Sequence, residues 1–250
     1  MQRTATSIRR TVAVAGTAIA LLTMTMQPAW AEGYLSNSRP FSIEGTARTK
    51  IATTMKVVDT SPFSSTTFSM GLGPADTITA PALALVQEGA GEANRSLRLD
   101  AYGYFTNVSG TNCTYEPFGD DFGIMSCKRA GFDWVEGQGY RVAMERGGTN
   151  ADNMTLWTVT IKKAGTNNVT EIVSFRSQYA KLSTSYNGAS ISMNAANCEN
   201  INPLKATFTK PVVNEERSKV DWESAHKFEE GCDATMPSTT DAGTVTMAIR

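Results

Sequence analysis

The chain has 250 residues with 23 basic and 24 acidic side chains, one histidine and four cysteines, and it is rich in Gly, Thr, Ser and Asn. Its basic residues are scattered along the sequence rather than striped, which argues against nucleic acid or an anionic membrane as a partner, since both demand clustered Lys and Arg. A composition without long charged helical runs belongs to strands and turns.

In chain order, the first predicted element is an export signal over residues 1–31. Arg3, Arg9 and Arg10 precede an apolar run from Thr11 to Met26, followed by the small-residue cleavage site Ala29-Trp30-Ala31. Cleavage there predicts a secreted product beginning near Glu32, with 20 basic and 24 acidic residues and no membrane anchor. An extracytoplasmic compartment is oxidising, so Cys113, Cys127, Cys198 and Cys232 are expected in disulfides. Four cysteines allow three pairings. The simplest joins neighbours, Cys113 with Cys127 and Cys198 with Cys232, and the first of these would close a loop worth roughly 3 kcal/mol.

Strands are expected wherever apolar and polar residues alternate, because successive strand side chains face opposite sides of a sheet. Phe68, Met70 and Leu72 alternate with Thr67, Ser69 and Gly71, and Leu97, Leu99 and Ala101 alternate with Arg98, Asp100 and Tyr102. The pattern recurs at Tyr140, Val142 and Met144, at Trp157, Val159 and Ile161, at Ala206 and Phe208, and at Val245, Met247 and Ile249. Segments 155–163 and 169–176 flank Ala164-Gly165-Thr166-Asn167-Asn168, a connection of hairpin length. Trp157 falls on the apolar side of its strand, and Trp134 is expected to cap an edge of the fold.

Many short strands with turn signals predict an all-β fold, two antiparallel sheets packed as a β-sandwich, of jelly-roll or concanavalin-like type. Residues 32–250 read as a single domain whose tail, 212–250, folds back. The spacing of Trp222, Ala225 and Phe228 allows one short C-terminal helix over Asp221–Glu230, or else an irregular loop.

The segment from about Phe68 to Pro211 resembles an uncharacterised family of secreted bacterial proteins known only as a domain of unknown function. The resemblance rests on Met70-Gly71-Leu72, on a cysteine-bounded loop ending Gly123-Ile124-Met125-Ser126-Cys127, on Trp134-Val135-Glu136-Gly137-Gln138-Gly139-Tyr140-Arg141, on Leu156-Trp157 and on Cys198. It implies a concanavalin- or laminin-G-like sandwich and carries no reaction with it.

Chemistry is narrowed by elimination. A nucleophile with a histidine base would have to use His226, and no serine sits in a nucleophile-elbow pattern. Gly71-Leu72-Gly73 and Gly89-Ala90-Gly91 lack the following lysine or helix of a phosphate cradle and read as turns. Zinc is disfavoured because no Cys-x-x-Cys is present. A carboxylate pair for glycoside cleavage stays open among Asp100, Glu116, Asp120, Asp121, Asp133, Glu136 and Glu145. Calcium, which takes hard oxygen ligands, has weak candidates in Asp120 and Asp121, and in Asn150, Asp152 and Asn153; no other cofactor is expected. Five Asn-x-Ser/Thr triplets occur, at Asn94, Asn107, Asn112, Asn153 and Asn168, and are read as chance in a bacterial chain.

A sugar is recognised by aromatic rings stacked on its apolar face, with polar groups alongside for its hydroxyls. The best candidate face is Arg98, Asp100, Tyr102 and Tyr104, expected on one side of a strand whose other side is Leu97, Leu99, Ala101 and Phe105. The expectation is a secreted carbohydrate- or cell-wall-binding module, with an extracellular polysaccharide or cell wall as partner. A polysaccharide-cleaving hydrolase or lyase, and a structural or protein-binding factor, are the alternatives.

Overall fold

The computed structural model describes residues 34–45, 48–60, 66–71, 79–88, 94–118, 122–130, 132–182, 187–194, 203–216, 220–223, 226–228, 234–240 and 242–249. The expected signal 1–31, and with it Asp120, Asp121, Cys198 and Cys232, lies outside the described residues. The strands are β1 (Tyr34–Ile43), β2 (Lys50–Asp59), β3 (Thr66–Gly71), β4 (Thr79–Gln87), β5 (Arg95–Gly103) and β6 (Thr106–Ser109). They continue with β7 (Cys113–Pro117), β8 (Gly123–Ala130), β9 (Gly139–Thr149), β10 (Thr155–Lys163), β11 (Val169–Ser177) and β12 (Asn187–Asn194). Six shorter ones complete the set: β13 (Leu204–Phe208), β14 (Val212–Val213), β15 (Val220–Trp222), β16 (His226–Phe228), β17 (Ala234–Thr239) and β18 (Val245–Ile249).

Two antiparallel sheets result, packed face to face as the alternating pattern predicts. The first has the order β15-β1-β12-β3-β4-β5-β8-β7, with β16 also on β1; the second has the order β17-β18-β13-β2-β9-β10-β11-β6, with β14 on β2. Alternation decides which face of each strand is buried. Along β10, Thr155, Trp157, Val159 and Ile161 are buried while Leu156, Thr158, Thr160 and Lys162 are half-buried on the outside. Phe68, Met70, Leu83, Leu85, Leu97 and Leu99 from the first sheet meet Ile51, Met55, Val142, Met144, Trp157 and Phe175 from the second. Each such side chain contributes roughly 1.5–3 kcal/mol by leaving water. Asn37 of β1 ties the layers by donating its amide to the carbonyl of Ala248 in β18, at 3.1 Å.

The 164–168 connection joins β10 to β11 in antiparallel register, with Trp157 opposite Phe175. The register slips between Val159 and Thr160, and this bulge lets the successive residues Ile172 and Val173 both be buried. Trp134 is fully buried rather than placed at an edge: its ring meets Phe68 edge-on at 5.9 Å and its indole N–H donates to the carbonyl of Val86. Gly137, at φ 75°, turns the chain so that β9 begins at Gly139.

The helix allowed over Asp221–Glu230 is replaced by strand: among its described residues, Val220–Trp222 and His226–Phe228 form β15 and β16, both paired with β1. Two tertiary partners decide this. Trp222 packs edge-on against Phe41 at 5.3 Å and donates its indole N–H to the Gly243 carbonyl, while the edge of β1 offers backbone partners that a helix could not use.

Candidate functional site

The β5–β8–β7 edge of the first sheet carries the candidate face. On β5, Leu97, Leu99 and Ala101 are buried, whereas Arg98 is exposed and Asp100 and Tyr102 are half-exposed, so the latter three share the outer face. Tyr104 does not belong to that row. The strand ends at Gly103, and the chain then crosses to β6 in the second sheet; Tyr104 is exposed on this crossover and Phe105 beside it is buried. Tyr115 holds the crossover, its hydroxyl donating to the Gly103 carbonyl and its ring meeting Phe105 edge-on.

Sheet register brings in residues that sequence spacing did not reveal. Asp100 lies opposite Ser126 of β8, which lies opposite Thr114 of β7; Tyr102 lies opposite Ile124, which lies opposite Glu116. The Ser126 hydroxyl donates to one carboxylate oxygen of Asp100 at 2.8 Å, and Arg98 Nε contacts the other at 2.5 Å. Both oxygens are thereby oriented, and the Arg98 guanidinium is held over the face.

Beside this polar row stand three aromatic rings. Tyr102 is stacked with Phe122, centroids 6.4 Å apart and planes 23° from parallel, and Phe118 continues the run at 6.5 Å and 31°. Phe118 is 53% exposed. A short backbone hydrogen bond from Phe118 to the Phe122 carbonyl brings the two ring-bearing residues together at the end of the β7–β8 hairpin. The sequence held a signal for this, two phenylalanines flanking turn residues inside the cysteine-bounded loop, but only pairing of β5 with β8 puts them next to Tyr102.

A disulfide joins Cys113 to Cys127 across directly opposed positions of that hairpin, which is one half of the simplest pairing; Cys198 and Cys232 fall outside the described residues. The bond pins β7, the edge strand that carries Thr114 and Glu116.

The remaining acids do not converge. Glu145 is on the outer face of the second sheet, paired with Lys50, while Glu136 lies in the turn before β9, near Arg95 and bonded to the hydroxyl of Thr60. Asp133 is exposed in the same loop. In the β9–β10 connection, the Asn150 side-chain oxygen accepts from the backbone of Met154 and its amide donates to Asp152, so these groups close the turn on themselves. Among the described residues no group of three His, Cys, Asp or Glu could hold a metal ion. The three triplet asparagines Asn107, Asn112 and Asn153 take left-handed backbone, and all five are exposed. A recess lined by Leu97, Thr111, Cys127, Arg129, Glu171 and Ile172 has room for about one water, too little for a sugar ring.

Neither family models nor curated proteins match this chain. Among solved structures it is similar to SCP-B, a member of the eqolisin family of peptidases in a complex with a tripeptide, at 10% identity and a TM-score of 0.41, over 85% of this chain and 97% of that one. A likeness of that size says nothing about activity here.

Proposed function

We propose that this protein is a carbohydrate-binding module that holds an extracellular polysaccharide on the outer face of its first sheet. The observation that carries the reading is the run of rings Tyr102, Phe122 and Phe118, the first two stacked and the third tilted against them, set beside the oriented Arg98–Asp100–Ser126 row. Rings of this kind pack against the C–H face of a pyranose, while the carboxylate and guanidinium bond its hydroxyls. An open strip, unlike a closed pocket, accepts a chain of sugars whose ends lie elsewhere. Asp100 and Glu116 share this face but lie two strands apart, and Asp100 is held by Arg98 and Ser126; these contacts favour orientation of a ligand over proton transfer.

Affinity electrophoresis and pull-down on cellulose, chitin, peptidoglycan and soluble glucans test the proposal. Wild type should be retained by at least one polymer, and Tyr102→Ala and Phe122→Ala should each weaken retention about tenfold at unchanged fold, the loss of one stacking ring. Absence of wild-type retention on every polymer would end it.

A further inference from the structure

One end of the aromatic strip rides on the least anchored part of the first sheet. Phe118 follows Pro117, the last residue of β7, and Phe122 precedes Gly123, the first residue of β8, so these two rings stay together only while the β7–β8 hairpin is closed. From Thr106 to Pro117 no residue is buried, and Val108, Cys113 and Tyr115 pack against the core only in part. β7 is an edge strand of five residues, paired among the described residues with β8 alone. It is tied further by the Tyr115 hydroxyl on the Gly103 carbonyl at 3.2 Å, by the Tyr115 ring against Phe105, by the Thr114 hydroxyl on the Ser126 carbonyl at 3.4 Å, and by the Cys113–Cys127 disulfide.

Cys113 and Cys127 stand directly opposite each other at the end of the hairpin away from the rings. Without their bond, five residue pairs must hold an edge strand that buries little, and such a strand opens before the sheet behind it. β8 does not follow it. That strand stays paired with β5 over eight positions, and its Met125 and Cys127 are buried. Tyr102 and Phe122 therefore keep their places while Phe118 is set free. Cys113 is half-buried whereas Cys127 is 2% exposed, so the Cys113 sulfur is the one that an incoming thiol reaches.

We infer that the Cys113–Cys127 bond is a redox lock on the aromatic strip, holding Phe118 in line when oxidised and releasing it when reduced. This rests on the reading of the strip as the ligand site. Opening takes two electrons and two protons from an external dithiol. One of its sulfurs attacks Cys113, Cys127 leaves as a thiolate and takes up a proton, and the second sulfur then displaces the Cys113 thiol, so the reagent ends as a disulfide. The reverse exchange with a disulfide carrier closes the lock, and binding is weak where thiols are kept reduced and strong where they are oxidised.

Hydrogen exchange read by mass spectrometry, with and without dithiothreitol, tests the lock directly. Reduction should speed exchange in residues 113–118 at least about tenfold while β9 and β10 keep their protection. Affinity electrophoresis in a polymer that retains the oxidised protein should show retention about tenfold weaker after reduction, equal to that of oxidised Phe118→Ala. Phe118→Ala should show no further change on reduction, because both act through one ring. Cys113→Ser with Cys127→Ala should match reduced wild type whatever the reagent, which separates this bond from Cys198 and Cys232. Unchanged exchange in β7, simultaneous loss of protection in both sheets, equal retention in the two redox states, or a dithiothreitol effect that persists in the cysteine variant would each overturn the inference. If no polymer retains the oxidised protein, the binding reading falls by itself, and exchange still decides whether the bond locks the hairpin.

Discussion

The guanidinium of Arg95 lies 4.4 Å from the centre of the Trp134 ring while its Nη1 donates to the Trp134 carbonyl at 2.8 Å, so one buried cation grips both the face and the backbone of the same residue. Arg95 opens β5 on the inward side, and its carbon stem fills the end of the sandwich beneath the loop that leads into β9. The candidate face begins three residues further along the same strand. Arg95→Ala should therefore cost roughly 2–3 kcal/mol, through a lost charge-assisted bond and lost cation–π contact. Urea unfolding measures it; a loss under about 0.5 kcal/mol would show that the loop is held by Trp134 packing alone.

Removing the Cys113–Cys127 bond by Cys113→Ser with Cys127→Ala should cost roughly 3 kcal/mol, since a 14-residue separation is released in the unfolded chain. Because β7 is an edge strand paired, among the described residues, with β8 alone, the variant should also lose hydrogen-exchange protection in β7 before the rest of the sheet. Uniform loss of protection across both sheets would contradict that order.

Tyr140 supplies a pH-dependent term. Burial raises its hydroxyl above the ordinary 10.0; the hydrogen bond from Val135 and the charge of Arg95 oppose the rise, and Asp133 adds to it. In the window just above about pH 10 the unfolded chain has released a proton that the folded chain retains, so stability is complete below that pH and falls as pH rises through the folded value. Tyr140→Phe should lose less stability between about pH 9 and 11 than wild type, after paying roughly 1 kcal/mol at neutral pH for the Val135 N–H left without its acceptor. Parallel pH curves for the two proteins would remove the assignment.

Gly110 lies where two layers nearly touch. A Cβ there would sit 2.4 Å from the Ile172 carbonyl oxygen and 2.7 Å from the Cys113 sulfur, and neither backbone nor disulfide can give way. Gly110→Ala should destabilise by roughly 2 kcal/mol or more, whereas Gly148→Ala, with nothing within 4 Å of its new methyl, should change stability by less than about 0.5 kcal/mol. Thermal unfolding of the pair checks both, and equal melting temperatures would refute the contrast.

On the candidate strip, Ser126→Ala and Arg98→Ala each free one oxygen of Asp100. Each should reduce polysaccharide retention several-fold while shifting stability by no more than about 1 kcal/mol, as expected for partly exposed polar contacts. Retention unchanged in both would mean that the rings alone hold the ligand.

Much of the fold was legible from local pattern. The alternation of Trp157, Val159 and Ile161 with threonines states which side of β10 is buried, and the Gly/Asn connection after Lys163 states where it turns, because strand periodicity and turn chemistry are local properties. The same locality misleads at the C-terminus. Trp222, Ala225 and Phe228 recur at three-residue intervals, yet an open edge on β1 and the ring of Phe41 draw the described part of that segment into strands. Tyr104 was misplaced for a related reason: alternation continues past Gly103, but the chain leaves the sheet there to reach β6.

What the sequence by itself determined was the strand character of the segments that became β3, β5, β9, β10, β11, β13 and β18, the inward faces their alternation marks and hence the two-layer architecture, along with the outward placement of Arg98, Asp100 and Tyr102. Only the tertiary structure decided which distant residues became neighbours: Phe122 beside Tyr102, Ser126 beside Asp100, and Arg141 opposite Lys162. The physical reason is that side-chain alternation is set within one strand, whereas partner and register are chosen between strands, by the summed burial and hydrogen bonding of segments far apart in the chain.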